Sequence, residues 1–361
     1  MMHWGERLRL TIFGTSHGPE VGVTVEGVPA GVAINPATVQ AELDRRRPVG
    51  RRLATRRREE DRLVIDSGVV NGRSDGGPIR AHVANEDVQR GPYDRIHDIP
   101  RPGHADYPAR VRFGPDADLS GGGIFSGRMT VGLVIAGSIA RALWRDRPFD
   151  LLAFPRSIGP IDATVPEQAP LSDLRERARS NEVGCPDPDA AARMEAAIED
   201  ARRDGDSLGG VIETRATGVP VGLGEPFFDS IESAIAHLAF AIPAVKGVEF
   251  GAGFTGARGC GSDQNDAFFW DGDHLSTRTN RAGGILGGLA VGTPIVARIA
   301  VKPTSSIARP QESVDLRTHA PARLVVTGRH DPCIVPRAVP VAEAVVALAL
   351  TDLALRGGYL A

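Results

Sequence analysis

The sequence predicts a fold of mixed helices and strands, of the α/β or α+β class. Segments with strand-like and helix-like patterns interleave along all 361 residues, which favours these classes over all-α or all-β folds. Hydrophobic residues make up 42% and charged residues 24%, an ordinary globular mix, so extensive disorder is not expected. No low-complexity linker interrupts the chain, and only a soft boundary at 148–172 would divide it.

The N-terminal third predicts strands around one helix. Asn35 is a suitable N-cap and Pro36 a suitable first residue for a helix that continues to Arg47 and ends before Pro48. Alternating or β-branched runs predict the strands Leu8–Phe13, Val21–Val25, Leu63–Ser67 and Ile79–Ala84.

The remainder predicts helices, strands and one long loop. Residues 90–123 contain five prolines and many glycines, which indicates a loop. A nearly all-round apolar surface predicts a buried helix at Thr130–Arg145. The last helix is expected to begin at Pro340, with Glu343 in its first turn. Further predicted elements are the helices Ala190–Arg203 and Ser230–Ala241 and the strands Gly210–Ala216 and Thr293–Val301.

Composition argues against several functional classes. A net charge of −3 and only 18 aromatic residues do not favour a nucleic-acid-binding protein. Three widely spaced cysteines predict neither a disulfide framework nor a metal site. The N-terminus lacks an apolar signal segment, and the longest apolar stretch, about Val131–Trp144, is too short to span a bilayer. We therefore expect a cytoplasmic protein with no membrane partner.

Arginines are concentrated in one stretch. Residues 45–58 hold eight arginines and no acid, within a chain that has 40 arginines and two lysines. Guanidinium groups bind carboxylates and phosphates in a bidentate manner, so this stretch suits a small anionic ligand. A solvated surface loop and an RNA-binding loop are the alternatives.

Histidines lie in three polar motifs that suit acid–base chemistry. His17 lies in a Gly-Thr-Ser-His-Gly turn at 14–18, and His104 follows Arg101-Pro102-Gly103. The third motif is Gly328-Arg329-His330-Asp331. Ordinary polar turns would explain the first two motifs singly, and a surface salt bridge between Arg329 and Asp331 would explain the third.

Two glycine-rich segments suit anion binding. Gly121-Gly122-Gly123 precedes the buried helix, where free N–H groups and the helix dipole favour negative charge. Gly283–Gly288 is followed by a strand and then by Lys302-Pro303-Thr304-Ser305-Ser306, a composition typical of phosphate sites. Taken together, the motifs predict a site for a small molecule with several negative charges.

These motifs, in this order, resemble those of the chorismate synthase family. The resemblance runs from Leu8 to Leu355 and includes residues 44–48, Ser126-Gly127-Arg128 and Val245–Glu249 besides the motifs above. It implies a β-α-β sandwich, two antiparallel sheets enclosing a helical layer, in one domain (1–361) with internal pseudo-symmetry. It also implies a homotetramer.

The resemblance implies a lyase that removes phosphate and a ring proton from 5-enolpyruvylshikimate-3-phosphate to give chorismate. The reaction is an anti-1,4-elimination that requires reduced FMN. His17 would protonate the leaving phosphate, His104 would stabilise the reduced flavin, and Asp331 would help to remove the ring proton. NADPH is expected only as a reductant, and a separate flavin reductase is an alternative partner.

The remaining site residues also follow from the resemblance. The residues expected to bind the anions of the substrate or of NADPH are Arg46, Arg47, Arg52, Arg101 and Arg128. The residues expected to contact FMN are Ile124, Phe125, Ser126, Pro243, Ala244, Gly287, Lys302, Pro303, Thr304, Ser305, Ser306 and Arg329. The sequence departs from the family pattern at Ser120, Ile124 and Pro243. A flavin reductase or another FMN-dependent redox enzyme on the same scaffold is the alternative function, and no metal site is expected.

Overall fold

A computed structural model describes residues 2–47, 53, 60–86, 98–114, 120–326 and 330–360. In these ranges the helices are α1 Pro36–Arg46, α2 Asp106–Phe113, α3 Thr130–Ala142, α4 Leu171–Arg179, α5 Pro188–Arg203, α6 Ile231–Phe240, α7 Gly253–Gly256, α8 Gly261–Gln264 and α9 Val335–Arg356. Short 3₁₀ turns lie at Ser120–Phe125, Gly127–Met129 and Phe227–Asp229.

Most strands belong to two five-stranded sheets whose neighbouring strands all pair antiparallel. The first sheet has the order β1-β2-β3-β7-β4 and the second β11-β16-β10-β8-β9. The strands are β1 His3–Trp4, β2 Arg9–Gly14, β3 Glu20–Glu26, β4 Val64–Ser67, β5 Val69–Val70, β6 Arg73–Ser74, β7 Ile79–Ala84, β8 Asp150–Ile158, β9 Ile161–Asp162, β10 Gly210–Thr217, β11 Val245–Phe250, β12 Phe268–Asp271, β13 His274–Thr277, β14 Ile285–Leu286, β15 Leu289–Ala290, β16 Ile295–Val301, β17 Gln311–Val314 and β18 Pro321–Leu324.

A layer of helices separates the two sheets. Helix α3 packs on β2, β3 and β7 of the first sheet and on α9, which packs on β8 and β10 of the second. Two glycines of α3 permit this close packing: a Cβ at Gly132 would lie 2.9 Å from the carbonyl oxygen of Gly22, and one at Gly137 would lie 2.5 Å from the Cα of Ala344. The expected β-α-β sandwich is confirmed, and its antiparallel sheets make the fold α+β.

One hydrophobic core extends through both sheets and the helices between them, from Leu8 to Leu360. The expectation that Val131–Trp144 is the longest apolar stretch was wrong, because helix α9 is long and apolar enough to cross a membrane by length and composition. However, 94% of the most apolar 18-residue segment of this helix is buried inside the protein, so in this structure it is a core helix.

Local signals predicted several elements correctly. Asn35 caps α1 by accepting a hydrogen bond from the backbone N–H of Ala37 at 2.9 Å. Arg45 and Arg46 end the helix, where the dipole favours positive charge. The strand Ile79–Ala84 has the predicted bounds, and the other predicted strands differ by a few residues at most.

Two predictions about proline-containing segments were wrong. Residues 90–123 are not one long loop, because α2 forms with Pro108 in its first turn, where a missing N–H breaks no helical hydrogen bond. The soft boundary at 148–172 contains β8, a buried strand of the second sheet. Pro155 fits within it because the register shifts there, between Val211 and Ile212 of β10.

The last helix was also predicted with the wrong start. It begins at Val335, and Pro340 lies inside it rather than at its first residue. Burial of this apolar helix between the sheets offsets the hydrogen bond that an internal proline removes. Consequently Glu343 is not in the first turn. It is buried, and it accepts hydrogen bonds from Arg45 at 2.6 and 3.1 Å and from the backbone N–H of Ala153 at 2.9 Å.

Candidate active site

One cavity of about 700 Å³ brings together segments that are distant in the sequence. Its walls come from the end of α1, the segment before α2, the glycine-rich turns before α3, the α6–β11 connection, the segment after β16 and the start of α9. The predicted site residues that line it are Arg46, Arg101, His104, Ile124, Phe125, Ser126, Arg128, Pro243, Ala244, Lys302, Thr304, Ser305, Ser306 and Asp331. A cavity of this size is typical of small-molecule sites.

The other predicted residues lie elsewhere or outside the described ranges. Arg52 and Arg329 are outside them. Gly287 lies in the turn between β14 and β15. Neither Gly287 nor Arg47 is among the residues that line the cavity. Pro303 lies between two lining residues, and His17 lies directly behind the glycine-rich wall.

The glycine-rich segment forms the wall between the two histidines. Gly121, Gly122 and Gly123 have φ of 60°, 94° and 52°, in the left-handed region that favours glycine. A Cβ at Gly121 would lie 1.8 Å from Cε1 of His17, and one at Gly122 would lie 3.5 Å from Nε2 of His104. The absence of side chains therefore lets this backbone lie against both imidazole rings.

His17 is held in the turn between β2 and β3. Its side chain is buried, and its Nδ1 lies 3.0 Å from the hydroxyl oxygen of Ser16. Gly121 contacts the ring and also lines the cavity. His17 is thus separated from the cavity only by a residue that has no side chain.

His104 lies in a charged cluster with Arg101 and Asp106. The carboxylate of Asp106 lies 2.5 Å from Nδ1 of His104 and accepts hydrogen bonds from Nε and NH2 of Arg101, both at 2.7 Å. Arg101 also donates to the hydroxyl of Ser306 at 3.1 Å, which ties the cluster to the segment after β16. Although burial alone would raise the pKa of Asp106, these hydrogen bonds and charges hold it well below its usual range.

A second buried carboxylate binds two of the predicted arginines. Asp61 accepts hydrogen bonds from Arg46, at 3.1 Å, and from Arg128. The remaining guanidinium nitrogens of Arg46 donate to Thr130 and to the carbonyl of Gly127, at 3.0 and 3.1 Å. Asp61 has φ of 48°, an uncommon conformation for a residue other than glycine. The two guanidinium groups are therefore fixed before any ligand binds.

Asp331 is ion-paired with Arg337 from the start of α9. Arg337 also donates from Nε to the backbone carbonyl of Arg46 at 3.2 Å. The backbone carbonyl of Asp331 accepts a hydrogen bond from Thr304 at 3.2 Å. These contacts place the carboxylate at the cavity between α9 and the segment after β16.

Both lysines of the chain line the cavity. Lys302 donates to the carbonyl of Gly103 at 3.0 Å, and its pKa is lowered by burial and by the positive charge of Lys246. Lys246 lies where the register of β11 against β16 shifts, a bulge of the kind that redirects side chains near functional sites. Two neighbouring ammonium groups suit a phosphate.

The described part of the arginine run is paired with acids outside the run. Arg45 pairs with Glu42 and Glu343, and Arg47 pairs with Asp44 at 3.1 Å. Residues 48–52 and 54–59 lie outside the described ranges, so the loop alternatives for the run stay predictions.

Sequence reasoning assigned no role to five cavity or cluster residues: Asp61, Asp106, Lys246, His330 and Arg337. Of these, Asp106, Lys246 and His330 lie in motifs that the sequence singled out, whereas Asp61 and Arg337 do not. The rarity of lysine was a signal for Lys246, because the chain has only two lysines. The structure places both of them at the cavity. In the described ranges, no group of three histidine, cysteine or acidic side chains is arranged to hold a metal ion. All three cysteines are unbridged.

Comparisons with known proteins agree on one family. A family model described as chorismate synthase matches residues 8–355. The chain is 47% identical to a chorismate synthase of Korarchaeum cryptofilum over 353 residues, covering 98% of this chain and 97% of that one. It is 45% identical to a chorismate synthase of Dehalococcoides mccartyi over 356 residues, covering 99% and 97%. A crystal structure of a chorismate synthase superposes with a TM-score of 0.75 at 28% identity, covering 98% of this chain and 93% of that one.

Proposed function

The chain belongs to the chorismate synthase family and is a lyase, and from that premise we propose that it converts 5-enolpyruvylshikimate-3-phosphate to chorismate. In this reaction a C–O bond to phosphate and a ring C–H bond break, and a C=C bond forms with no net redox change. The observation that supports it is one cavity lined by six cationic side chains together with His104 and Asp331. The six are Arg46, Arg101, Arg128, Lys246, Lys302 and Arg337. A substrate with one phosphate and two carboxylates matches this excess of positive charge.

The residues of the cavity fit FMN. Lys246, Lys302 and the hydroxyls of Thr304, Ser305 and Ser306 would hold its phosphate and ribityl chain. Apolar side chains at the other walls would contact its ring, and they are Ile124, Phe125, Ile242, Val245 and Ile334. Reduced FMN, when bound, would supply an electron transiently and help to take up the ring proton.

The residues of the chain would handle the protons and charges. His17 would give a proton to the leaving phosphate, which would approach the imidazole over Gly121. Asp331, ion-paired with Arg337 at the cavity, would accept the ring proton. Arg46 and Arg128 would meet substrate anions with guanidinium groups that Asp61 already orients, so little reorganisation accompanies binding.

We also propose that the enzyme assembles as a homotetramer in the cytoplasm. Several aromatic side chains lie exposed on the surface of the single chain, which another copy would cover: Phe227, Phe228, Phe254 and Trp270. Light scattering of the purified protein tests the assembly, and a monomer at micromolar concentration would contradict it.

An anaerobic assay of phosphate and chorismate release tests the proposed reaction. We expect product with chemically reduced FMN and none with oxidised FMN. An arm with oxidised FMN and NADPH separates two sources of electrons: product there means that the chain reduces its own flavin, and no product means that a separate flavin reductase is needed. Oxidation of NADPH without chorismate in any arm would instead support the redox-enzyme alternative.

A further inference from the structure

We infer that Asp106 is a positioning residue that holds His104 with a proton on Nδ1 and directs Nε2 toward the cavity. The inference deepens the proposed function, on which its catalytic consequence rests. The protonation pattern itself depends only on the geometry of Asp106, His104 and Arg101.

Two groups compete for Nδ1 of His104. Oδ1 of Asp106 lies 2.5 Å away and NH2 of Arg101 lies 3.0 Å away. A single ring nitrogen cannot donate to a carboxylate and accept from a guanidinium at the same time. The same NH2 group already donates to Oδ1 of Asp106 at 2.7 Å, so the arginine has its partner without the imidazole.

The short distance requires a proton between Nδ1 and Oδ1, since two lone pairs at 2.5 Å would repel. The proton belongs to the nitrogen, because Arg101 holds the pKa of Asp106 well below its usual range. Asp106 also accepts the backbone N–H of Arg101 at 3.0 Å, a further bond that favours the carboxylate form.

Because the Nδ1 edge of the ring lies against Asp106, the opposite edge is the one left to face the cavity that His104 lines. The Nδ1 edge faces a carboxylate that is 5% exposed, whereas the side chain of His104 is 18% exposed and lines the cavity. Nε2 lies on the side of Gly122. Lys302 also lies on this wall, where it donates a hydrogen bond to the carbonyl of Gly103. With Nδ1 occupied, Nε2 is the nitrogen that would exchange a proton or a hydrogen bond with a ligand.

The arrangement also accounts for the buried Arg101. Its guanidinium neutralises Asp106, so the histidine faces a neutral pair rather than a bare carboxylate. Ser306 orients the remaining terminal nitrogen of Arg101. Arg101 thus sets the charge of the carboxylate, and the carboxylate sets the orientation of the imidazole.

Nitrogen NMR of the full chain, with its histidines labelled with ¹⁵N, tests the inference. His104→Gln identifies the signals of His104 among the nine histidines. We expect the neutral imidazole of His104 to carry its proton on Nδ1 and none on Nε2. A neutral ring in the unmodified chain with its proton on Nε2 would overturn the inference, and this measurement needs no other variant.

Asp106→Asn adds a second, independent measurement. We expect the amide to remove the preference for a proton on Nδ1 and to give a mixture of the two neutral forms. We expect kcat to fall by about 10–100-fold, the scale known for carboxylates that orient metal-binding histidines. Asp98→Asn is the matched control, because Asp98 pairs with Arg110 at 3.2 Å and with Arg317 instead of a histidine. A folded Asp106→Asn protein in which His104 still carries its proton only on Nδ1 would also overturn the inference. An unmodified chain that has the proton on Nδ1 but makes no chorismate would contradict the proposed function alone.

Discussion

Replacing Asp61 by asparagine removes the charge that two buried arginines share. Asparagine has nearly the same shape and tolerates the positive φ of this position, so the change isolates the electrostatic contribution. The side chains of Arg46 and Arg128 are 3% and 5% exposed and that of Asp61 is 0% exposed. After the substitution both guanidinium groups stay buried without their carboxylate.

The expected loss of unfolding free energy is about 3–5 kcal/mol, the effect of removing one partner from a buried ion pair. The proposed substrate site would lose its fixed guanidinium groups as well, so we expect a higher KM for 5-enolpyruvylshikimate-3-phosphate. Because the pair is buried, the loss of stability should change little with salt concentration.

Urea denaturation followed by circular dichroism measures this effect, with the slope m compared between variants to check that the same surface unfolds. Asp44→Asn is the control, since Asp44 pairs with Arg47 on an exposed helix face and should contribute at most about 1 kcal/mol. A loss below about 1 kcal/mol for a folded Asp61→Asn protein would refute the reasoning, because the buried arginines would then have other sufficient partners.

Three further substitutions and one reagent test the cavity. Gly121→Ala should abolish activity, because its Cβ would overlap the ring of His17 at a φ of 60°; steady-state kcat measures this. His17→Ala and Asp331→Ala should each lower kcat by at least about 100-fold, the usual contribution of a general acid or base, as measured by phosphate release. An amine-reactive reagent should label Lys302 faster than an ordinary lysine, since its lowered pKa leaves more of the neutral amine at a given pH; FMN should protect it, as mass spectrometry would show.

Matched controls exist for these variants. Gly127→Ala introduces a Cβ with no neighbour within 4 Å and should leave the fold of the turn intact. His82→Ala removes a histidine that contacts Asp66 and Glu20 on the first sheet, away from the cavity, and should keep its kcat. A Gly121→Ala protein with normal kcat would show that the glycine wall is not needed, and equal labelling of Lys302 with and without FMN would place the flavin elsewhere.

Local sequence signals were sufficient for elements whose boundaries are set by their own residues. The Asn35-Pro36 pair starts α1 in the structure as the capping rules require. Proline-containing elements were less predictable, because the effect of a proline depends on where it falls. Pro108 lies in a first turn, Pro155 at a register shift and Pro340 inside a buried helix, and burial is a tertiary property that local patterns do not contain.

The same reasoning explains what was missed at the site. Motifs indicated the histidines and arginines because these residue types are chemically distinctive in the sequence. Asp61 looks like an ordinary surface acid in the sequence, and Asp106 stands beside His104 without an assigned role. In the structure both are buried and fix three of the predicted arginines. A carboxylate becomes informative only when the fold shows which cations surround it.

Arginines and lysines occupy different positions at the cavity, and this difference leads to a last prediction, for Lys302→Arg. The buried arginines occupy planar, fixed hydrogen-bonding positions against Asp61 and Asp106, a geometry that suits a guanidinium. Lys302 lies at the segment proposed to hold phosphate, where a compact ammonium group with three donors adapts to a tetrahedral anion. Arginine keeps the charge but is bulkier and planar, so we expect FMN to bind about tenfold more weakly, or about 1.4 kcal/mol. Quenching of flavin fluorescence measures the Kd, and an unchanged Kd would show that charge alone, without the shape of the amine, determines binding at this position.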